Sequence, residues 1–229
     1  MTTATAAIKF HGVPLTLSEE AALVAELKAG SEEAYTSLIA QYHQSIYCLV
    51  YRILRDPADT VETTQEVFLK VYRGMKRFNE AASLKTWIYR IAVHEALNQR
   101  RWWSRHKSRE ISMEPLAMAD LTQDCALGLR DSLLRHNRSP FEEMLQEELR
   151  ERIEAGLRNV QQPYRTVVIL RDIEGLSYEE TAQITNTSVG TVKSRLARGR
   201  QALRKQFGPL LQPLQSVLDR CRMSFTCGD

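Results

Sequence analysis

The strongest chemical signal in the sequence is a run of positive charge near its end. Between Val189 and Lys205 there are basic residues and no acidic one: Lys193, Arg195, Arg198, Arg200, Arg204 and Lys205. Such side chains neutralise the phosphates of nucleic acid, and an arginine can also hydrogen-bond a guanine edge in the major groove. The stretch therefore predicts DNA binding rather than catalysis. A solvated helix on the surface of a bundle is the alternative interpretation.

Two short helices and a tight turn are predicted to position these cations. Ser177 and Glu180 have capping-box spacing, so a helix begins there and stops at Thr185-Asn186-Thr187. Ser188 can cap a second helix. The apolar residues of that helix share an arc of about 80°: Val189, Val192, Leu196 and Leu203. Its opposite face carries Gly190, Lys193, Ser194, Ala197, Arg198 and Gln201. The pattern predicts a helix-turn-helix whose second helix enters the major groove.

A second basic stretch lies in the first half of the chain. From Lys85 to Arg109 there are seven basic residues and Glu95 is the single acidic one. Five side chains on a predicted helix from Leu84 to Trp103 share an arc of about 80°: Trp87, Arg90, His94, Asn98 and Arg101. Aromatic and cationic groups on one face suit stacking on unpaired bases and neutralising phosphates. Packing into a core is the alternative role for the tryptophans.

No arrangement of residues predicts a catalytic centre, a metal site or a cofactor. The five histidines and four cysteines form no HExxH motif, and neither a phosphate-binding loop nor a nucleophile elbow is present. Cys221 and Cys227 are spaced unlike a zinc-knuckle pair, so a metal or redox role for them stays a minor alternative. We expect no catalytic residue, no metal and no cofactor.

The composition is that of a globular helical protein. The chain has 229 residues, 43% of them hydrophobic and 26% charged, with a net charge of only +3. Few glycines and prolines and no alternating apolar runs predict an all-α fold. An apolar segment long enough to cross a bilayer and a signal peptide are both missing, so we expect a cytoplasmic protein without membrane insertion.

Charge and helix signals divide the chain into two small helical domains joined by an acidic linker. Ser31 and a cap-like start at Asp59 and Glu62 are predicted to open helices in the first domain, and Pro163 to open one in the second. The segment from Glu114 to Glu148 contains eight acidic residues and three basic ones. The predicted divisions are a flexible N-terminus (1–17), a first domain (18–109), the linker (110–140), a helix-turn-helix domain (141–207) and a short C-terminal extension (208–229). The extension has a short apolar face and raises self-regulation as a hypothesis.

Two blocks of the sequence, 33–109 and 146–207, resemble the extracytoplasmic-function (ECF) sigma factors, small two-domain specificity subunits of bacterial RNA polymerase. DTVETTQEVFLKVYRGMKRF (59–78) is similar to the family's polymerase-docking helix, and LKTWIYRIAVHEALNQRR (84–101) to its promoter-melting helix. LRDIEGLSYEETAQITNTSVGTVKSRLARGRQALR (170–204) is close to its reader of the −35 element. Thr63 and Thr64 depart from the pattern, since the family more often has apolar residues there.

The resemblance implies partners and roles. Core RNA polymerase would be bound by Asp59, Glu62, Gln65, Glu66, Phe68 and Leu69. The −10 element would be bound by Phe78, Asn79, Ser83, Trp87, Arg90, His94, Asn98 and Arg101, with the loop from Phe78 to Ser83 shaping a pocket for a flipped base. The −35 element would be bound by Thr191, Lys193, Ser194, Arg195, Ala197, Arg198 and Arg200. Promoter DNA is thus the second partner, and an anti-sigma factor is a further expectation of the resemblance alone.

Two other functions remain as alternatives at this point. A free-standing helix-turn-helix regulator would bind duplex DNA by itself, but it leaves the block from 59 to 103 unexplained. An enzyme would need a catalytic motif, and the sequence offers none. We therefore expect a sigma factor that acts with the polymerase.

Overall fold

The computed structural model describes residues 17–79, 81–106 and 152–224, and side chains within 19–79, 81–106 and 152–207. The first part contains α1 (Leu17–Ala29), α2 (Glu32–Leu54), α3 (Pro57–Gly74), a 3-10 turn (Met75–Arg77) and α4 (Leu84–His106). The second contains α5 (152–159), α6 (Tyr164–Val168) with a π-helical turn (Ile169–Ile173), α7 (Tyr178–Thr185) and α8 (Val189–Ser224). No strand occurs in these ranges, so the predicted all-α fold is confirmed.

Local signals in the sequence set most helix ends. Gly30 ends α1 with φ of +85°, which glycine adopts without strain. Ser31 caps α2 by accepting a hydrogen bond from the Ala34 N–H. The start of α3 differs from the prediction: Asp56 is its cap, accepting from the Asp59 N–H at 3.0 Å, and Pro57 is its first residue. Proline suits a first helical position because its missing N–H would have no helical partner there. The predicted start at Asp59 and Glu62 is therefore wrong.

The helices α2, α3 and α4 pack on one another and form the first module, and α1 packs on α2 and on the 3-10 turn. Its core contains Leu38, Ile46, Leu49, Ile53, Val67, Val71, Met75, Leu84, Ile88 and Ala92. The Leu84 N–H at the start of α4 donates to the carboxylate of Glu20 on α1 at 2.5 Å. A cap supplied from 64 residues away fixes the direction in which α4 leaves the loop.

The second module is the predicted helix-turn-helix with α5 and α6 behind it. Ser177 and Glu180 form a reciprocal capping box at the start of α7. The turn reverses at Asn186, whose left-handed backbone ends α7. Ser188 then caps α8 by accepting from the Thr191 N–H at 3.2 Å. These contacts confirm the predicted helix limits at both sides of the turn.

α8 packs on α6 through a close approach at Gly199. Val192 and Leu196 on the same helix are buried, as predicted, and Val189 and Leu203 are half-buried. A Cβ atom at Gly199 would lie 2.5 Å from Cγ2 of Val168 and 3.3 Å from the Tyr164 carbonyl oxygen. Gly199 is therefore the residue that lets α8 settle against α6.

α8 continues through the predicted boundary at 207 as far as Ser224, so the extension prolongs this helix. The apolar face predicted for the extension, Cys221 and Cys227 lie outside the described side chains, as does the acidic linker. Within the part of the chain that the structure describes, no helix is long and apolar enough to cross a membrane.

Gly199→Ala should destabilise the protein by about 1–3 kcal/mol, because the added methyl group overpacks the contact with Val168. Gly190→Ala on the same helix is the matched control, since its Cβ would meet nothing closer than 3.9 Å. Alanine there should be neutral or stabilise by up to about 1 kcal/mol. Urea denaturation measures both free energies of unfolding. Equal effects of the two substitutions would contradict this packing.

Candidate nucleic-acid interfaces

The exposed face of α8 presents the side chains predicted to contact duplex DNA. Its members, which all lie at the surface, are Gly190, Lys193, Ser194, Ala197, Arg198 and Gln201. Thr191 and Arg195 are half-buried at the edges of this face. A helix with one buried stripe and one open, acid-free stripe can enter a major groove without rearranging its core.

Aromatic rings from α6 and α7 hold two of the α8 cations in place. Arg198 donates to the Tyr164 hydroxyl at 3.1 Å and lies over the same ring. The Lys193 ammonium lies 5.5 Å from the ring centre of Tyr178. Pre-positioned cations lose less side-chain entropy when they bind phosphates or bases.

Arg200 is held by a carboxylate and not by an aromatic ring. Its Nε and Nη2 atoms donate to the two carboxylate oxygens of Asp172 at 2.9 and 2.6 Å. This hydrogen-bonded ion pair raises the pKa of Arg200. The pair is exposed, so it adds little stability, but it orients the guanidinium beside the α8 face.

The predicted stripe on α4 forms an exposed basic face with one exception. Arg90, His94, Asn98 and Arg101 all lie at the surface. Trp87 is half-buried and packs 5.0 Å from the Phe78 ring and against Gly74. Trp87 therefore anchors one end of the face to the core, and only part of its ring can meet a base. Trp102, which is 48% exposed and stacks on His106, adds aromatic surface at the other end.

The loop before α4 brings together the remaining predicted contacts to the −10 element. Asn79 and Ser83 are exposed, whereas Phe78 is 5% exposed and points into the core. The Asn79 side chain accepts from the Ala81 N–H at 3.3 Å, and Ser83 Oγ lies 2.8 Å from Thr86 Oγ1. Phe78 can thus shape this loop from beneath but offers a base little surface.

An apolar groove of about 640 Å³ runs between α2 and α3. It is lined in part by Tyr35, Ile39, His43, Phe68, Leu69 and Tyr72. Ile39, Leu69 and Tyr72 are 42%, 48% and 60% exposed, so large apolar side chains gather at one surface. Among the predicted docking residues, Gln65, Phe68 and Leu69 line this groove. Glu62 is exposed elsewhere on α3, while Asp59 and Glu66 are half-buried.

The two threonines that depart from the family pattern do not belong to that surface. Thr63 and Thr64 are 5% and 2% exposed. Both face the interior of the first module, although the Thr64 residue also borders the base of the groove. Their replacement of apolar residues is therefore a change in packing more than in the docking face.

The two modules meet through the half-buried carboxylate of Glu174, whose side chain is 12% exposed. It accepts from the Tyr89 hydroxyl at 2.8 Å and from Arg52 Nη1 at 3.5 Å. Arg52 is 6% exposed and also donates to Glu154 on α5 at 2.7 Å. Thr86 donates to Glu180 of the α7 capping box at 3.0 Å, beside the loop before α4. We call the residues of this contact, Arg52, Thr86, Tyr89, Glu154, Glu174 and Glu180, the module junction.

Burial and charge compete at the junction. Burial raises the pKa of Glu174 above its ordinary value, against the opposing effects of Arg52, Tyr89 and Lys85. Burial would lower the pKa of Arg52, but its partners, Glu154 foremost, keep it raised. Burial also raises the pKa of Tyr89, and the Glu174 charge adds to that rise. The junction is thus a charged network in which Arg52 and Tyr89 are buried and the carboxylates are half-buried.

Sequence reasoning did not find the junction. One signal was present: Arg52 interrupts an apolar helical stripe between Leu49 and Ile53. A charged residue in such a stripe predicts a buried partner. Nothing in the sequence identified Glu154 and Glu174, more than 100 residues away, as that partner.

Comparison with protein families matches both modules in order. Residues 38–108 match the family described as Sigma-70 region 2. Residues 150–203 match the family described as Sigma-70, region 4. The first range begins within α2 and takes in α3 and α4, and the second takes in α5, α6, α7 and the first part of α8.

Several whole proteins are similar along nearly their full length. The chain is 31% identical over 199 residues to the RNA polymerase sigma-H factor of Pseudomonas aeruginosa, which covers 86% of this chain and 98% of that protein. It is 33% identical to the ECF RNA polymerase sigma-E factor of Haemophilus influenzae, over 83% of this chain and 96% of that one. It is 31% identical to the sigma-E factor of Escherichia coli K12, over 83% and 95% respectively.

Solved structures share the fold. CnrH in complex with the cytosolic domain of CnrY superposes with a TM-score of 0.56 at 17% identity, covering 83% of this chain and 97% of that one. RpoE of Bartonella quintana, in complex with the anti-sigma factor NepR, superposes with a TM-score of 0.51 at 19% identity, covering 83% and 95%. At these identities the likeness concerns the fold.

Glu174→Gln should change how stability depends on pH. Because the folded pKa of Glu174 is raised, its contribution to the free energy of unfolding is full below the ordinary value of 4.5 and falls as pH rises through the folded pKa. The glutamine variant lacks this titration, so its stability relative to the native protein should increase across that window. Urea denaturation at a series of pH values measures the difference.

Glu179→Gln is the control for that experiment, because Glu179 is an exposed carboxylate on the neighbouring α7. The free energy of unfolding of the Glu179→Gln variant should depend on pH in the same way as that of the native protein. If Glu174→Gln also paralleled the native protein, the junction carboxylate would not be titrating in a buried site.

Proposed function

The chain belongs to the extracytoplasmic-function sigma factors, and from this premise we propose how its surfaces divide the work of initiation. It is an alternative sigma factor that binds core RNA polymerase and directs promoter-specific transcription. The observation that carries the assignment is the presence of two basic faces on two modules, in the family's order. A free-standing regulator would use the α8 face and leave the α4 face and the α2–α3 groove without a role.

We assign residues 18–109 to polymerase binding and to recognition and melting of the −10 element. Extruding a base costs a few kcal/mol, roughly, in lost stacking. The α4 face supports this role because exposed Arg90 and Arg101 can neutralise the opened strand's phosphates while His94 and Trp102 offer rings. Residues 110–140 would connect the modules, and residues 208–224 prolong α8.

Residues 141–207 are assigned to the −35 element. Arg198 is the candidate for a guanine because it lies on the exposed centre of the α8 face and its guanidinium is oriented by Tyr164. Lys193, Ser194 and Ala197 share that face. Arg195, Arg200 and Arg204 are the candidates for phosphates, which add affinity rather than sequence preference.

The groove between α2 and α3 is assigned to core polymerase. Three large exposed apolar side chains around it, Ile39, Leu69 and Tyr72, favour a protein partner over DNA. Gln65 at its edge can add a directed hydrogen bond. This places the polymerase contact on a different face from the DNA contacts of α4 and α8.

The docked arrangement of the modules cannot read both promoter elements at once. The Thr86 hydroxyl, beside the loop before α4, donates to the Glu180 carboxylate in the first turn of α7 at 3.0 Å. Elements centred about 25 base pairs apart lie roughly 85 Å apart on B-form DNA, at about 3.4 Å a step. We therefore propose that the junction opens when the chain joins polymerase and promoter.

An anti-sigma factor is a candidate regulator of this opening. RpoE of Bartonella quintana was solved in complex with the anti-sigma factor NepR, and CnrH was solved in complex with the cytosolic domain of CnrY.

The chain would act wherever the polymerase acts, in the cytoplasm. We propose no catalytic role for it; within the described ranges, no group of three or more His, Cys, Asp or Glu residues could hold a metal ion.

Run-off transcription with core RNA polymerase from the same organism and a pool of its genomic promoters tests the function as a whole. The purified chain should direct initiation from a defined subset, and core enzyme alone should not. A correctly folded chain that directs no initiation, yet binds duplex DNA tightly by itself, would replace this function with that of a free-standing regulator.

Leu69→Asp should weaken binding to core polymerase by about 10- to 100-fold, because burial of a leucine is worth about 1.5–3 kcal/mol. Ala25→Asp places the same charge on α1, at an exposed residue away from the groove, and should change the affinity less than about twofold, the size of a surface substitution. Fluorescence anisotropy of labelled protein measures both. Loss of affinity in both variants, or in neither, would count against the groove.

Arg198→Ala should change which −35 sequence is preferred, whereas Arg204→Ala should change only the affinity for DNA. The first should lower initiation from the cognate promoter by about 5- to 100-fold and relax preference at one base pair of the −35 element, because about 1–3 kcal/mol of base discrimination is lost. The second should weaken all promoters alike and reduce the salt dependence of binding. Transcription from a library with a randomised −35 element distinguishes them. Unchanged base preference in Arg198→Ala would show that another residue reads the element.

A further inference from the structure

A second cluster beside the module junction consists of positive groups. Arg55 ends α2, Arg100 lies in the second half of α4, and Arg165 lies in the first turn of α6. Arg55 donates through Nη2 to the main-chain carbonyl of Arg158 at the end of α5. This contact brings the arginines of the first module against those of the second.

Several hydrogen-bond donors in this cluster are buried and unused. Arg165 is 3% exposed, yet its Nε and Nη1 atoms have no hydrogen-bond partner among the described residues. The same holds for Arg100 Nη1 and for Gln162 Nε2, whose carbonyl oxygen accepts from Thr166 at 2.5 Å. Buried donors are satisfied in nearly all proteins, so the three on the neighbouring Arg100 and Arg165 indicate a missing acceptor.

Among the described residues, no carboxylate forms an ion pair with Arg55, Arg100 or Arg165. Glu154 and Glu174, the acidic residues of the adjoining junction, face Arg52. Burial, Arg55 and Arg100 together lower the pKa of Arg165 to about 10. Burial, Arg100 and Arg158 lower that of Arg55. All of these side chains still carry their charge at neutral pH, so an anion here would relieve both repulsion and unpaired donors.

We propose that this cluster is a phosphate-binding site, with Arg165 at its base and Arg55 and Arg100 at its rim. Guanidinium groups match phosphate oxygens in geometry and charge. A phosphate dianion offers three acceptor oxygens to the unused donors, whereas a single carboxylate would leave most of the positive charge unbalanced. The phosphate can come from a small phosphorylated molecule or from a nucleic-acid backbone.

The site has a regulatory consequence because both modules build it. Arg55 and Arg100 belong to the first module and Arg165 to the second. A ligand that binds only the docked form shifts the population toward that form. Bound phosphate would therefore hold the modules together and compete with the opening that promoter recognition requires. The site itself exists in the free chain and does not depend on the assignment of promoter contacts.

Isothermal titration of the free full-length chain with inorganic pyrophosphate, at constant ionic strength, tests the site. The native protein should bind one equivalent. Arg55→Gln and Arg100→Gln should each weaken binding at least tenfold, and Arg165→Gln should abolish it. Arg77→Gln, an exposed arginine on the 3-10 turn, is the matched control and should bind within twofold of the native protein. Circular dichroism confirms that each variant is folded, and the two rim variants keep the test valid should Arg165→Gln unfold.

A single-stranded oligonucleotide serves as the second probe and distinguishes the sources of phosphate. Pyrophosphate binding that depends on Arg55 and Arg100 supports a small phosphorylated ligand. Oligonucleotide binding that weakens tenfold in the same two variants, without pyrophosphate binding, supports the same site with a backbone phosphate. Binding of neither probe, or binding unaffected by Arg55→Gln and Arg100→Gln, would overturn the proposal.

Discussion

The arrangement of this molecule depends on one half-buried carboxylate. Glu174 lies between Arg52 and Tyr89, and through them it joins the π-helical end of α6 to the core of the first module. Charged groups out of water are costly unless they are paired, and removing one partner leaves the other unbalanced. The pairing therefore specifies how the modules dock more than it adds to stability. It also makes the docked state separable, because polar groups at the junction can be hydrated when it opens.

Separable modules explain why each binding surface can be small. The α8 face, the α4 face and the α2–α3 groove lie on different elements, and none needs to bind tightly alone. If the polymerase holds the groove, as we propose, the remaining contacts become intramolecular and gain from a high effective concentration. In that proposal the helix-turn-helix is the upstream half of a two-point grip on the promoter, and its own affinity can be weak.

Features that depend on neighbours in sequence were predictable, and features that depend on distant pairs were not. The capping box at Ser177, the turn at Asn186 and the exposed face of α8 follow from local spacing, and the structure confirms them. The predicted start of α3 lies too late, because the cap Asp56 and the first helical residue Pro57 precede the cap-like pair Asp59 and Glu62. The π-helical turn and the cap that Glu20 supplies to α4 had no local signal. The same is true of the arginine cluster, since its members come from three separate helices.

The central claim is that the free chain is docked and the initiating chain is open. Pulsed electron paramagnetic resonance can measure the distance between the modules. The spin labels would be attached to cysteines introduced in place of Ala25 on α1 and Lys205 on α8, with the native cysteines replaced. The account predicts one short distance in the free protein and an increase of tens of ångströms, roughly, when polymerase and promoter are added. A distance that stays the same in the promoter complex would contradict it.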